Sequence, residues 1–176
     1  MLKEMKKSQG IKFDFKSKKH HFKIYRVEDF NLPFLEKLVK FEQEQFSDAG
    51  MDEWGIVPQI RHGRIYVLKT EDDPKIYGIA IFMRDWENPA KCYLYDYGIT
   101  SKFRGKGLGT KFLRQLVKIM AGNGFEKMSL TVDIKNTPAV KVYKEKLGFR
   151  IIDILEEEYG KGEDRYYMEL DLPDNL

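Results

Sequence analysis

The chain has 176 residues, 42% of them hydrophobic and 34% charged, and a formal net charge of +3. That length supports one domain with a buried core. No segment reaches the unbroken apolar length of a membrane helix, so no membrane partner is expected, and so small a charge argues against a nucleic-acid partner. The single cysteine, Cys92, permits no internal disulfide and sits in an apolar run where a thiol packs like a hydrophobe. This suits a reducing, cytoplasmic setting.

Most of the positive excess falls in residues 1–20, where Lys3, Lys6, Lys7, Lys12, Lys16, Lys18 and Lys19 face only Glu4 and Asp14. No apolar h-region follows, so the segment is not read as a secretory signal. Residues 1–20 are expected to form a basic, solvated or disordered arm, in which the alternation of Ile11 to Phe15 could add an edge strand. Residues 21–176 then form a single domain. Its first strand is expected at Phe22–Val27. A helix follows from Pro33 to Phe46, opened by proline in its first turn, with apolar positions 34, 35, 38, 41 and 46 on one face. Ser47 to Gly50 breaks it, and Asp52 to Ile60 reads as a short second helix. Ile65–Thr70 and Ile76–Met83 read as strands joined by a turn at Glu71–Pro74.

Cys92 to Thr100, rich in aromatic and β-branched residues, reads as the fourth strand. Leu108, Phe112, Leu113, Leu116, Val117 and Met120 repeat at helical spacing. Gly122-Asn123-Gly124 stops that helix. A fifth strand follows at Lys127–Ile134. A helix from Ala139 to Lys146 is capped by Asn136 or Thr137, carries Pro138 in its first turn and stops at Gly148. Two closing strands cover Phe149–Leu155 and Arg165–Leu172. Short turns between strands two to four require antiparallel pairing, which excludes an all-parallel sheet.

Between the fourth strand and the long helix lies Arg104-Gly105-Lys106-Gly107-Leu108-Gly109. A strand, a glycine-rich turn and a helix N-terminus together present unpaired amides and the positive end of a helix dipole, which is an anion site. The run lacks the lysine and hydroxyl residue of a Walker phosphate loop and the last glycine of a dinucleotide fingerprint. Arg104-x-x-Gly107-x-Gly109 resembles the Arg/Gln-x-x-Gly-x-Gly/Ala signature of the GNAT superfamily of N-acetyltransferases. Asn136 to Phe149 resembles that family's second motif, Asn-x-x-Ala-x-x-x-Tyr-x-x-x-Gly-Phe, with Asn136, Ala139, Tyr143, Gly148 and Phe149 at the matching positions.

The resemblance implies an α/β fold of mixed α+β character: a mostly antiparallel seven-stranded sheet with four helices, splayed between strands four and five. It implies acetyl-CoA as acyl donor and a primary amine as acceptor, with no metal. Amides of Gly105, Lys106, Gly107, Leu108, Gly109 and Thr110 would hold the pyrophosphate, with Arg104 and Lys106 supplying charge. Tyr97, Gly98 and Ile99 would pair with the pantetheine arm, and Asn136 and Ala139 would line the cofactor. Tyr143 would be the general acid, since a phenol of pKa ~10 keeps its proton at neutral pH. The usual base glutamates are missing: Tyr95-Asp96 stands for Glu-Asp on the fourth strand and Thr131 for glutamate on the fifth. Asp133, Asp96 and a water relay remain open as proton acceptors.

On the acceptor side, Tyr159 to Met168 resembles the closing hairpin of protein N-terminal acetyltransferases, which implies that Tyr159 holds a protein α-amine. Strand four resembles polyamine-type members, which keeps a small amine open. Glu53 and Trp54 lie where the family's variable helix borders the acceptor groove, and acid beside an aromatic suits an ammonium. A non-catalytic acyl-CoA-binding domain is the alternative. Monomer and homodimer are both compatible with the sequence.

Overall fold

A computed structural model describes residues 5–15, 18–70 and 73–173. Among these described residues, eight strands and four α-helices follow one another as β1 (Met5–Phe15), β2 (Lys18–Val27), α1 (Leu32–Phe46), α2 (Glu53–His62), β3 (Arg64–Thr70), β4 (Gly78–Arg84), β5 (Lys91–Ile99), α3 (Leu108–Gly122), β6 (Lys127–Asp133), α4 (Thr137–Lys141), β7 (Arg150–Leu155) and β8 (Arg165–Asp171). The seven expected strands are all present. An eighth, β1, precedes them and contains the edge strand that the alternation of Ile11 to Phe15 allowed; it extends further toward the N-terminus because pairing in a hairpin is set by backbone groups that composition does not report. The chain divides into two compact units, Met1–Met83 with Asp96–Phe112, and Arg84–Tyr95 with Leu113–Leu176.

In the first unit β1, β2, β3 and β4 pair antiparallel in sequence order. Its core joins α1 to the sheet through Phe34, Leu35, Leu38 and Val39 against Val27, Ile65, Val67, Ile79 and Ile81. The helix begins where it does because the Asn31 side chain accepts the Phe34 amide at 3.0 Å and Pro33 lies in the first turn. A cap of this kind is worth about 1 kcal/mol. Phe22 meets the rings of Tyr77 and Phe103 edge-on, which fixes the turn (Ser101–Phe103) leading into the glycine loop.

In the second unit β5 runs parallel to β6, which is antiparallel to β8, and β8 to β7. The β5–β6 ladder registers only Lys91–Lys127, Cys92–Met128 and Tyr93–Ser129. Pairing therefore stops part-way along both strands, which is the expected splay. Lys91 anchors the paired end through Asp85 at 3.0 Å and Glu169 at 3.6 Å. Beside it Cys92 is fully buried, and burial pushes its thiol up to about 12. A disulfide reagent at neutral pH should therefore react with Cys92 only after denaturation. Equal rates of native and denatured labelling would contradict this burial.

Candidate active site

The glycine loop belongs to the first unit. Gly105 and Gly107 have φ of +68° and +87°, in the left-handed region that favours glycine, and a Cβ at either would meet nothing within 4 Å. The space over the loop is open. Helix α3 starts immediately after, so the amides of Leu108, Gly109 and Thr110 have no acceptor inside the helix. Gly109 is close-packed instead: a Cβ there would lie 3.1 Å from the Tyr97 hydroxyl, which donates to the Gly109 carbonyl at 2.6 Å. Open space and amides left without helical acceptors at a helix N-terminus together suit an anion such as a pyrophosphate.

Two residues expected to contact the donor have structural partners here. Tyr97 fixes the first turn of α3 through that hydrogen bond and stacks on Phe112. The Arg104 guanidinium donates from Nε to the Ile99 carbonyl at 3.1 Å and from a terminal nitrogen to the Gln45 side chain at 2.9 Å. Arg104 thus braces the loop against the end of β5 and α1. Lys106 bonds the Lys102 carbonyl. Gly98 lies under the Phe46 ring, with no room for a side chain.

The first unit also holds a carboxyl pair. Glu42 on α1 is fully buried, and burial, followed by the neighbouring Asp96, raises it to about 9. Asp96 on β5 is raised too, chiefly by burial, while its Oδ1 accepts the Tyr97 amide at 2.6 Å. Because the folded Glu42 value is raised, its contribution to stability is complete below the unfolded value and is lost as the pH climbs through the folded one. Urea midpoints should therefore fall more between pH 6 and pH 9 in the native protein than in Glu42→Gln. Parallel pH dependence in the two would show that Glu42 does not titrate this way.

The second motif lies in the second unit. Asn136, not Thr137, caps α4, its side chain accepting the Ala139 amide at 3.3 Å. The helix then widens into a π-type turn over Val142–Leu147, ended by Gly148 at φ +84°. Tyr143 sits at the start of this turn, half-buried, with its ring 5.8 Å from Phe149. Asp133 spends its Oδ1 on the Lys135 amide at 2.8 Å, as a turn residue between β6 and α4.

Thr131 has a partner that the sequence did not disclose. Its hydroxyl lies 2.8 Å from that of Tyr93 on β5, beyond the last registered β5–β6 pair. Burial raises the Tyr93 hydroxyl, and the Tyr159 hydroxyl also interacts with it. Tyr159 is 62% exposed and stacks under the Arg165 guanidinium, 4.7 Å from its ring. Thr131, Tyr93 and Tyr159 therefore form one cluster. Of the other acceptor-side residues, Trp54 is 87% exposed beside exposed Glu53, in the first turn of α2, whose cap is Asp52. Tyr93 was missed because tyrosines alternating along β5 look like packing. Glu42 was missed although its spacing from Leu35 and Leu38 puts it on the apolar face of α1.

The sequence model of the acetyltransferase (GNAT) family matches residues 27–149. The chain belongs to that family. A probable N-acetyltransferase, san, of Drosophila melanogaster is 28% identical over 106 residues, covering 60% of this chain and 57% of the relative. N-alpha-acetyltransferase 50 of Danio rerio is 32% identical over 100 residues, covering 56% of this chain and 59% of the relative. The chain thus spans less than two thirds of the length of these curated relatives. The crystal structure of the ribosomal-protein-S18-alanine N-acetyltransferase from Escherichia coli superposes with a TM-score of 0.69 at 21% identity, covering 88% of this chain and 98% of that one. No helix among the described residues is long and apolar enough to cross a membrane.

Proposed function

We propose that this chain is an acetyl-CoA-dependent N-acetyltransferase whose acceptor is a primary amine, and that the amine is the N-terminus of a protein. The observation that carries the donor reading is the open, positive-φ Gly105–Gly107 turn feeding the first amides of α3. Tyr143 donates the proton to the leaving sulfur. Asn136 and Ala139 border the donor, and Tyr97, Gly98 and Ile99 form the edge along which its pantetheine arm lies. The neutral acceptor amine attacks the thioester carbonyl carbon, a C–N bond forms, the C–S bond breaks, the sulfur leaves with the bonding pair and takes the Tyr143 proton, and the proton that the nitrogen sheds on becoming an amide restores the phenol.

The protein-amine reading draws on the Tyr159 hairpin and on the relative named N-alpha-acetyltransferase 50. Tyr159, stacked under Arg165 and largely exposed, offers an aromatic face suited to a peptide. Exposed Trp54 and Glu53 are a second place for the acceptor's cationic or apolar groups. The test is thiol release from acetyl-CoA against free-N-terminus peptides, spermidine and aminoglycosides. Turnover confined to peptides supports the proposal, and turnover on spermidine alone would replace the acceptor. Acetyl-CoA binding without thiol release on any amine would instead identify a non-catalytic acyl-CoA-binding domain.

A further inference from the structure

The loop that joins β7 to β8 carries Tyr159 and is closed by its own hydrogen bonds. Glu157, Gly160 and Gly162 have φ of +51°, +124° and +78°, so three of its residues are left-handed. Glycine takes that conformation freely, whereas a glutamate must be held there. Asp164 Oδ1 does so by accepting the Glu157 amide at 3.0 Å. The Gly160 and Glu163 amides donate to the Glu157 and Gly160 carbonyls at 3.0 and 2.9 Å. A Cβ at Gly160 or Gly162 would meet nothing within 4 Å, so no neighbour packs against the tip at either position. Two bonds tie the loop to another part of the chain. The Ile134 amide donates to the Asp164 carbonyl at 3.3 Å, just beyond the β6–β8 ladder. Further out, the Lys135 ammonium donates to the Gly162 carbonyl at 2.8 Å. Lys135 belongs to the tight turn between β6 and α4, where the Lys135 amide donates to Asp133 Oδ1 at 2.8 Å and the Asn136 amide to the Asp133 carbonyl at 2.9 Å. Its backbone is therefore fixed beside Asn136, the cap of α4, while its side chain reaches the loop tip.

We infer that Lys135 is a positioning residue for the acceptor: by holding the Gly162 carbonyl it keeps the Tyr159 loop in one placement relative to the start of α4, without touching the amine. This rests on the reading of the Tyr159 loop as the acceptor side of an acetyltransferase. Asn136 stands on the donor side in that reading, so Lys135 is a strut between the two. The stack of Tyr159 on Arg165 fixes the ring against β8 but does not tie the loop tip to α4. A hydrogen bond from a charged donor shifts the balance between two loop placements by about tenfold. An acceptor that binds one placement then sees its KM rise as the competent fraction falls, while kcat holds, because the bound acceptor selects the same placement. Methionine at position 135 keeps most of the aliphatic stem and has no donor. Arginine keeps a charged donor of similar reach.

The test measures kcat and KM by thiol release, with whichever of a free-N-terminus peptide and spermidine the native protein turns over. Lys135→Met should raise the acceptor KM by about tenfold and leave kcat within about twofold. Calorimetric titration should show its acetyl-CoA affinity to be native. Lys135→Arg should recover most of the loss, which a role in general stability would not require. A native acceptor KM in Lys135→Met, a fall in kcat with KM unchanged, or an equal loss in Lys135→Arg would overturn the proposal. A second measurement needs no acceptor. Amide hydrogen exchange of the full chain, read by NMR, should be about tenfold faster at Gly160 and Glu163 in Lys135→Met and unchanged at Ala139, whose amide is bonded to Asn136. Native exchange at Gly160 and Glu163 would also overturn it. Absence of turnover by the native protein on either amine overturns the acceptor reading and with it the effect on KM, while the exchange comparison still decides whether Lys135 holds the loop.

Discussion

Gly107→Val should weaken acetyl-CoA binding by about 100-fold. Gly107 lies at φ +87°, with open space where a side chain would project. Valine carries two separate penalties there. Left-handed backbone costs a non-glycine residue roughly 1–2 kcal/mol, which appears as lost fold stability or as a reshaped loop. Its methyl groups also stand where a phosphate approaches the amides of Leu108, Gly109 and Thr110. Each amide hydrogen bond to a charged oxygen is worth ~1.5–3 kcal/mol, so losing one or two gives about the stated factor. Calorimetric titration with acetyl-CoA measures the loss, and urea unfolding of the same variant measures the strain. Native affinity in a folded Gly107→Val protein would show that the loop is not the phosphate site.

Tyr143→Phe should lower kcat by about 10²–10⁴-fold while leaving acetyl-CoA affinity near native, since the proton donor is removed and the ring is kept. The ring contact with Phe149 survives the change, and so does the backbone bond from the Phe149 amide to the Tyr143 carbonyl at 3.0 Å. The variant therefore tests chemistry more than packing. Thiol release with the best amine gives kcat, and titration with acetyl-CoA gives affinity. Unchanged kcat would remove Tyr143 from the mechanism. A thioester with a better leaving group should narrow the gap between native and variant rates, because it needs the proton less.

The fold was largely legible because its signals are local. The apolar periodicity of α3, the Asn31–Pro33 start of α1 and the Gly148 stop after the second motif all act within a few residues of where they are written. What escaped depends on contacts between distant segments. The hydroxyls of Tyr93 and Thr131 meet only because β5 and β6 run parallel and part just beyond Tyr93, a register no single segment encodes. Glu42 carried a local signal, its position on an apolar stripe, but its meaning lay in Asp96 on another element. Arg104 has a role that its motif does not announce. A cation beside three glycines suggests a phosphate ligand, and its guanidinium also has two protein acceptors within 3.1 Å. The turn over Val142–Leu147 escaped because a widened helical turn keeps nearly the same side-chain pattern as an α-helix.

The Arg104 brace changes how the energy of donor capture divides. By tying Ile99 and Gln45 to the glycine loop, it orders the loop while the chain folds, before any donor arrives. The conformational entropy of that ordering is then charged to folding, and association proceeds onto a rigid receptor. Lysine at 104 would keep the positive charge and lose the fork that reaches both acceptors. Its defect would therefore register as a less favourable binding entropy, with the dependence on ionic strength little altered.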